Sequence, residues 1–197
     1  EWAGYAKAAG QKRGWTCYTE NNIFGGVGSF AHNYVIANAW YCTHLWQHYR
    51  YTLDRDYLKR AFPAMLSAAQ FWLDRLVLDK KDNTYVCPKE YSPEHGPGQE
   101  DGVAHAQQLV YDLLTNTKSA IEVLGSDAEI SEADLKLLND RLSKLDRGLA
   151  TEQYTGAWGN PKNGVKSGEL LLREWKTSAY TAGENGHRHM SHLMCVY

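Results

Sequence analysis

The sequence predicts an all-α protein: an array of amphipathic helical hairpins, with long functional loops collected at one end. Apolar residues recur at the helical period through several long stretches, strand-like alternation is scarce, and polar loops separate the stretches. Loops longer than about 12 residues in a compact domain are usually functional or disordered. The Trp, Tyr, His and Glu crowded into these loops argue for function.

The first stretch, to about Ser29, is rich in Gly and polar residues and reads as loop. Its Gly25-Gly26-Val27-Gly28 cluster lacks the strand–helix context of a phosphate cradle. From about residue 34 to 52, Ala37, Tyr41, Leu45 and His48 keep helical spacing. Asp54 is placed to cap a short following helix through Tyr57 and Leu58. Pro63 suits the first turn of the next helix, where its missing N–H costs nothing. Leu66, Ala69, Leu73 and Leu76 form the apolar stripe of that helix.

Residues 79–83 make a charged turn ahead of a brief extended segment at Tyr85-Val86-Cys87. Pro88, Pro93 and Pro97 exclude regular helix from the next stretch and leave a structured loop. Ala106, Val110, Leu113, Thr117, Ala120 and Leu124 hold the period of a strong helix, with Gly125 as its C′ residue. Ser131 with Asp134 resembles a capping box before Leu135, Leu138, Leu142 and Leu145, and Gly148 ends that helix. Residues 151–168 read as loop, 169–175 as a short resumed helix, and 182–190 as a polar loop.

The 197 residues carry 21 Lys+Arg against 23 Asp+Glu, a net charge of -2 that gives no footprint for nucleic acid or an anionic membrane. No apolar run approaches the roughly 18 residues of a membrane span, so a soluble protein is expected. The 7 Trp, 13 Tyr and 4 Phe can fill a helical core or stack on sugar rings, and composition leaves both uses open. Neither Glu1-Trp2-Ala3-Gly4 nor Met194-Cys195-Val196-Tyr197 has the polar character of a natural terminus. Cys17, Cys42, Cys87 and Cys195 are widely spaced; buried thiols are expected, and no disulfide pairing can be chosen.

Three clusters carry the chemistry. Glu94, between Pro93 and His95 on the Pro/Gly loop, is placed to project from the scaffold into a cleft. A glycosidase needs such a carboxyl in its protonated form beside the scissile oxygen. Glu90 and Glu100 compete for that role, and a loop-stabilising acceptor is the plainer use of Glu94. His187-Arg188-His189-Met190-Ser191-His192 offers either a metal site on His187, His189 and His192 or a shell of donors for sugar hydroxyls. The absence of a carboxylate at ligand spacing, and Arg188 in its middle, weigh against metal. His44 and His48, four apart on a helix, are metal-compatible but more often packing. The third cluster, residues 15–25, combines Glu20, Asn21 and Asn22 with aromatics, a set that can fork sugar hydroxyls while stacking a ring.

Together these pieces resemble glycoside hydrolase family 95, the inverting α-L-fucosidases. The matching segments are Glu20-Asn21-Asn22-Ile23-Phe24-Gly25, Asn38-Ala39-Trp40-Tyr41-Cys42-Thr43-His44-Leu45-Trp46-Gln47-His48-Tyr49, Tyr91-Ser92-Pro93-Glu94-His95-Gly96-Pro97, Arg173-Glu174-Trp175 and Gly186-His187-Arg188-His189-Met190-Ser191-His192-Leu193. They follow the family's order over nearly the whole chain. The resemblance implies that residues 1–197 are part of an (α/α)6-barrel catalytic domain, truncated at both ends. It implies release of terminal α-L-fucose, or in some relatives L-galactose, from glycans by an inverting acid/base mechanism.

On that resemblance Glu94 takes the general acid's place, and Glu20, Arg188 and His189 take sugar-binding positions. No cofactor is implied. The partner is a fucosylated oligosaccharide or glycan, and the full-length protein is expected to be secreted, periplasmic or at the cell surface. The family's base, an Asp assisted by an Asn-x-Asn motif, has no counterpart in this sequence. These residues are therefore expected to be inactive alone. Two other readings are a non-catalytic carbohydrate-binding helical fragment and a metal-dependent hydrolase.

Overall fold

The structure, a computed structural model, describes residues 2–18, 34–94, 96–155, 166–179 and 189–196. Five α-helices are present among them: α1 Trp2–Ala8, α2 Ala37–Thr52, α3 Arg55–Arg75, α4 Ala104–Leu124 and α5 Glu132–Lys144. Two short antiparallel pairs accompany them, β1 Val77–Asp79 with β2 Thr84–Val86, and β3 Thr151–Gln153 with β4 Leu170–Leu172. A 3₁₀ segment over Ser191–Val196, kinked at Leu193, packs on α4. The molecule is thus predominantly helical, with helix-scale apolar stripes forming the helices they predict. No helix among the described residues is long and apolar enough to cross a membrane.

Helices α2, α3 and α4 pack on one another, and α5 lies against α3 and α4. Ile36, Leu58, Met65, Phe71, Trp72, Leu109, Leu113, Leu114 and Leu138 are fully buried between them. At the α2–α3 contact, buried Asn38 donates to the Trp15 carbonyl and accepts from Trp72 Nε1 at 2.9 Å. That satisfies the indole N–H where water cannot reach it. Arg13 joins α3 to α5 through Asp74 and Asp134, each at 2.7 Å.

The capping expectations hold where the cap residue is Asp54 or Ser131. Asp54 Oδ1 accepts the Tyr57 N–H at 2.8 Å, and Ser131 Oγ accepts the Asp134 N–H at 3.1 Å. Helix α4 stops at Leu124, with Gly125 at positive φ beyond it.

Four expectations about elements are overturned. Residues 2–8, read as loop, form α1. The two short helices expected around Pro63 are one, α3, with Pro63 inside it. The ring faces outward, beside an exposed Lys59, so the carbonyl that lost its N–H partner is left to solvent rather than to the core. Helix α5 ends at Lys144 instead of reaching Gly148, because Leu145 bridges Tyr85 and the Asp146 N–H donates to the Tyr85 carbonyl. The segment expected to resume a helix is instead β4, followed by an irregular stretch in which Trp175 bridges Val103. Of the cysteines, Cys17, Cys42 and Cys87 are the buried thiols expected, and Cys195 is an exposed one.

The first turns of α4 organise the loops. Every residue from Ala104 to Val110 is buried, so this end of the helix is surrounded rather than amphipathic. Its polar members must find partners, and they find them on loops. Gln107 accepts from the Cys87 N–H and donates to the Asp146 carbonyl. Gln108 donates to the carbonyls of Gly148 and His192, both at 2.8 Å, and accepts from the Cys195 N–H. Lys176, at the centre of Asp79, Asp82 and Asp146, ties the β1–β2 hairpin to the segment after β4.

Candidate active site

Three segments converge beside the N-terminal end of α4: the loop 87–102, the stretch 173–178 and residues 189–192. The Ala104 N–H donates to the Glu174 carbonyl at 3.0 Å, which fixes the second segment to the helix start. His105 meets Tyr34 and lies near the Ser191 backbone, and Gln108 donates to the His192 carbonyl at 2.8 Å, which fixes the third. Burial holds the Tyr34 hydroxyl well above its ordinary value, with Glu90 adding to the effect, so it stays protonated. Burial lowers His105 to about 4, against a weaker upward pull from the Ser191 backbone, so the ring is neutral. The pair is therefore a Tyr34 hydroxyl donating to His105 Nε2.

The three carboxyls of the Pro/Gly loop have separate surroundings. Glu90 is fully buried, with Arg75 Nη2 at 3.2 Å from its Oε1. Burial pushes its carboxyl up to about 8, against the Arg75 charge that favours ionisation. Glu90 and Glu100 exchange both backbone hydrogen bonds at 2.9 Å, and the Glu100 side chain accepts from the Ser178 hydroxyl. Glu94 alone of the three stands open, its side chain 47% exposed. Its Oε2 lies 3.5 Å from His189 Nε2.

The sequence-predicted pair Glu94 and His189 is thus brought together. Glu20, Arg188 and His187 lie outside the described residues. His189 and His192 turn to different carboxylates: His192 Nδ1 stands 3.9 Å from Glu174 Oε2. Among the described residues no three metal-ligating side chains gather. His48 packs against Tyr57, the rings tilted with centroids 4.0 Å apart.

Several residues that hold this site gave no functional signal of their own in the sequence. Glu174 is buried, and its Oε1 accepts the hydroxyl of buried Ser92. The Ser191 hydroxyl donates to the Pro93 carbonyl at 2.9 Å. Trp175 is buried against Gly96. The signal available for the helix residues was His105, Gln107 and Gln108 interspersed with apolar residues at the start of a strong helix, a place where polar side chains need dedicated partners.

The model of the glycosyl hydrolase family 95 catalytic domain matches residues 2–197. The "Probable alpha-fucosidase A" of Aspergillus niger is 32% identical over 199 residues, covering 95% of this chain and 23% of that protein. The "Alpha-L-fucosidase 2" of Arabidopsis thaliana is 27% identical over 176 residues, covering 82% of this chain and 18% of that protein. The chain therefore spans about a fifth of the length of these relatives.

Proposed function

This chain belongs to glycosyl hydrolase family 95, and from that premise we propose that the protein releases terminal α-L-fucose from glycans, with Glu94 as general acid. The observation that carries the reading is the position of Glu94: the open carboxyl of its loop, 3.5 Å from His189. Both relatives above are named as fucosidases. A non-catalytic module has no comparable support.

The reaction follows from a half-open carboxyl beside a donor ring. Glu94 gives its proton to the glycosidic oxygen as the bond from that oxygen to the anomeric carbon breaks. Water attacks the anomeric carbon from the opposite face and loses its proton to a base, an Asp outside residues 1–197. An inverting pair of carboxyls stands roughly 6.5–9.5 Å apart to admit that water. A bound sugar covers Glu94 and shields it from bulk water. His189 contributes a hydrogen bond to the sugar or to the carboxyl itself, with Glu20 and Arg188 as further sugar contacts. The proposed substrate is a fucosylated oligosaccharide, and a glycan substrate of this kind is the reason to propose a location outside the cytoplasm, secreted, periplasmic or at the cell surface.

The test is Glu94→Gln in the full-length protein, assayed on fucosyllactose. Turnover should fall by on the order of 10²–10⁴-fold, the usual contribution of a positioned acid. Turnover near the unsubstituted level removes Glu94 from the role, and fucoside binding without turnover in the unsubstituted protein leaves only a carbohydrate-binding module.

A further inference from the structure

We infer that Glu174 is a positioning residue for the acid: its buried carboxylate couples the loop that carries Glu94 to the segment that carries His189. The inference rests on the reading of Glu94 as general acid. Glu174 is 2% exposed and sits between the two segments. One oxygen accepts the Ser92 hydroxyl, on the loop just before Pro93 and Glu94. The other lies 3.9 Å from His192 Nδ1, three residues after His189. The backbone carbonyl of Glu174 accepts the Ala104 N–H, so the residue is anchored to the start of α4.

A second, parallel tie joins the same two segments. The Ser191 hydroxyl donates to the Pro93 carbonyl at 2.9 Å. Glu94 and His189 therefore face each other across a frame in which Glu174, Ser92 and Ser191 are buried and His192 is partly buried, while they themselves are 47% and 39% exposed. A buried carboxylate shared by two loops is expensive to leave partly satisfied, so it fixes their separation more firmly than surface contacts can. Glu174 does not reach the reacting atoms in this arrangement. It acts through Ser92 and His192 on where Glu94 points.

Such a role has a kinetic signature. Misplacing an acid harms substrates whose leaving group needs a proton and spares those whose leaving group departs as a stable anion. The experiment compares fucosyllactose with α-L-fucosyl fluoride in the full-length protein, using Glu174→Ala, Glu174→Gln, Ser92→Ala and Glu94→Gln. In the fluoride reaction the carbon–fluorine bond breaks, fluoride leaves unprotonated, and water supplies the new carbon–oxygen bond and loses a proton to the base.

Glu174→Ala should lower kcat on fucosyllactose by on the order of 10–10²-fold, as a misplaced catalytic group does, with KM nearly unchanged and fluoride turnover within about threefold. Glu174→Gln keeps an acceptor for Ser92 and should recover most of the loss. Ser92→Ala removes one hydroxyl and should show the same substrate selectivity, so the test stands even where Glu174→Ala fails to fold. Equal losses on both substrates in Glu174→Ala and Ser92→Ala, or no loss on either, overturn the positioning role while a selective loss in Glu94→Gln keeps the acid assignment. Unselective or unchanged kinetics in Glu94→Gln overturn the acid assignment and the positioning role with it.

Discussion

Glu90 and Glu94 share one loop and meet opposite surroundings. Glu90 is at its root, fully buried, facing an Arg75 that stacks over the rings of Phe71 and Trp72 at 5.9 and 5.8 Å. Arg75 also donates to the carbonyls of Pro88 and Ala9, so one guanidinium ties the loop root, α3 and the turn after α1 together. Glu94 is at the tip, and its position depends on bonds made by its neighbours Ser92 and Pro93. A buried carboxyl with a strongly displaced pKa is often a functional candidate, yet structural ion pairs displace pKa values too. In this loop the displaced carboxyl is the buried one that faces Arg75, and the open one is the acid we propose.

The largest effect on that contrast should come from Gly96, just past the tip. A Cβ there would stand 2.2 Å from Cζ2 of Trp175, which is 1% exposed and has no room to withdraw. Gly96→Ala should therefore displace the tip, costing roughly 1–3 kcal/mol of stability by overpacking and on the order of 10²-fold in fucosyllactose turnover by misplacing Glu94. Gly98→Ala is the control: its φ is also positive, at +98°, but a Cβ meets nothing within 4 Å. It should cost only the backbone strain of about 1–2 kcal/mol and leave turnover nearly intact. Thermal midpoints and kcat for the two variants separate close contact from strain. Equal turnover in both would mean that Trp175 does not set the tip.

The root should answer to pH instead. Burial raises Glu90 in the folded protein to about 8 from an ordinary 4.5, so the folded state binds the extra proton between those values. Stability must then fall as pH rises through that window and level off above it. His105 works the other way: its lowered value, about 4 against 6.5, removes stability as pH falls through that range. The difference between Glu90→Gln and the unsubstituted protein isolates the Glu90 contribution. The Gln variant should gain relative stability steadily from about pH 4.5 to 8, with turnover changed less than about tenfold, since Gln still accepts from Arg75. A flat difference would show that Arg75 neutralises the burial cost completely.

The parts of this arrangement that were legible in the sequence are those governed by local rules. The stripe of α4, the caps at Asp54 and Ser131, and an open carboxyl on a proline-bounded loop are each decided within a few residues. Pro63 misled because an interior proline costs less where the carbonyl it frees is open to solvent, and which face of α3 is outward depends on α2 and α4. Leu170-Leu171-Leu172 carries no alternation, and only pairing with Thr151–Gln153 makes it a strand. Glu174 was visible as part of a motif, but its work depends on Ser92, 82 positions earlier, and on His192. Partnerships at that separation leave no periodicity or spacing to read.

The smallest effect should come from the region farthest from the tip in its bonding, the start of α5. Ser131 accepts the Asp134 N–H at 3.1 Å, half of a capping box. The reciprocal half is absent in kind, because the Asp134 carboxylate is committed to Arg13 at 2.7 Å and Gln70 at 3.0 Å. Ser131→Ala therefore removes one acceptor from one exposed helix end and leaves the Arg13–Asp134 tie to α3 in place. The cost should be about 1 kcal/mol of stability, with no change in turnover on either fucosyllactose or the fluoride. Asp134→Asn keeps the backbone cap contact but weakens the ion pair with Arg13, and should cost more, still without substrate selectivity. A selective loss of fucosyllactose turnover in either variant would mean that α5 reaches Glu94 through α3 and Arg75, making root and tip one mechanical unit rather than two.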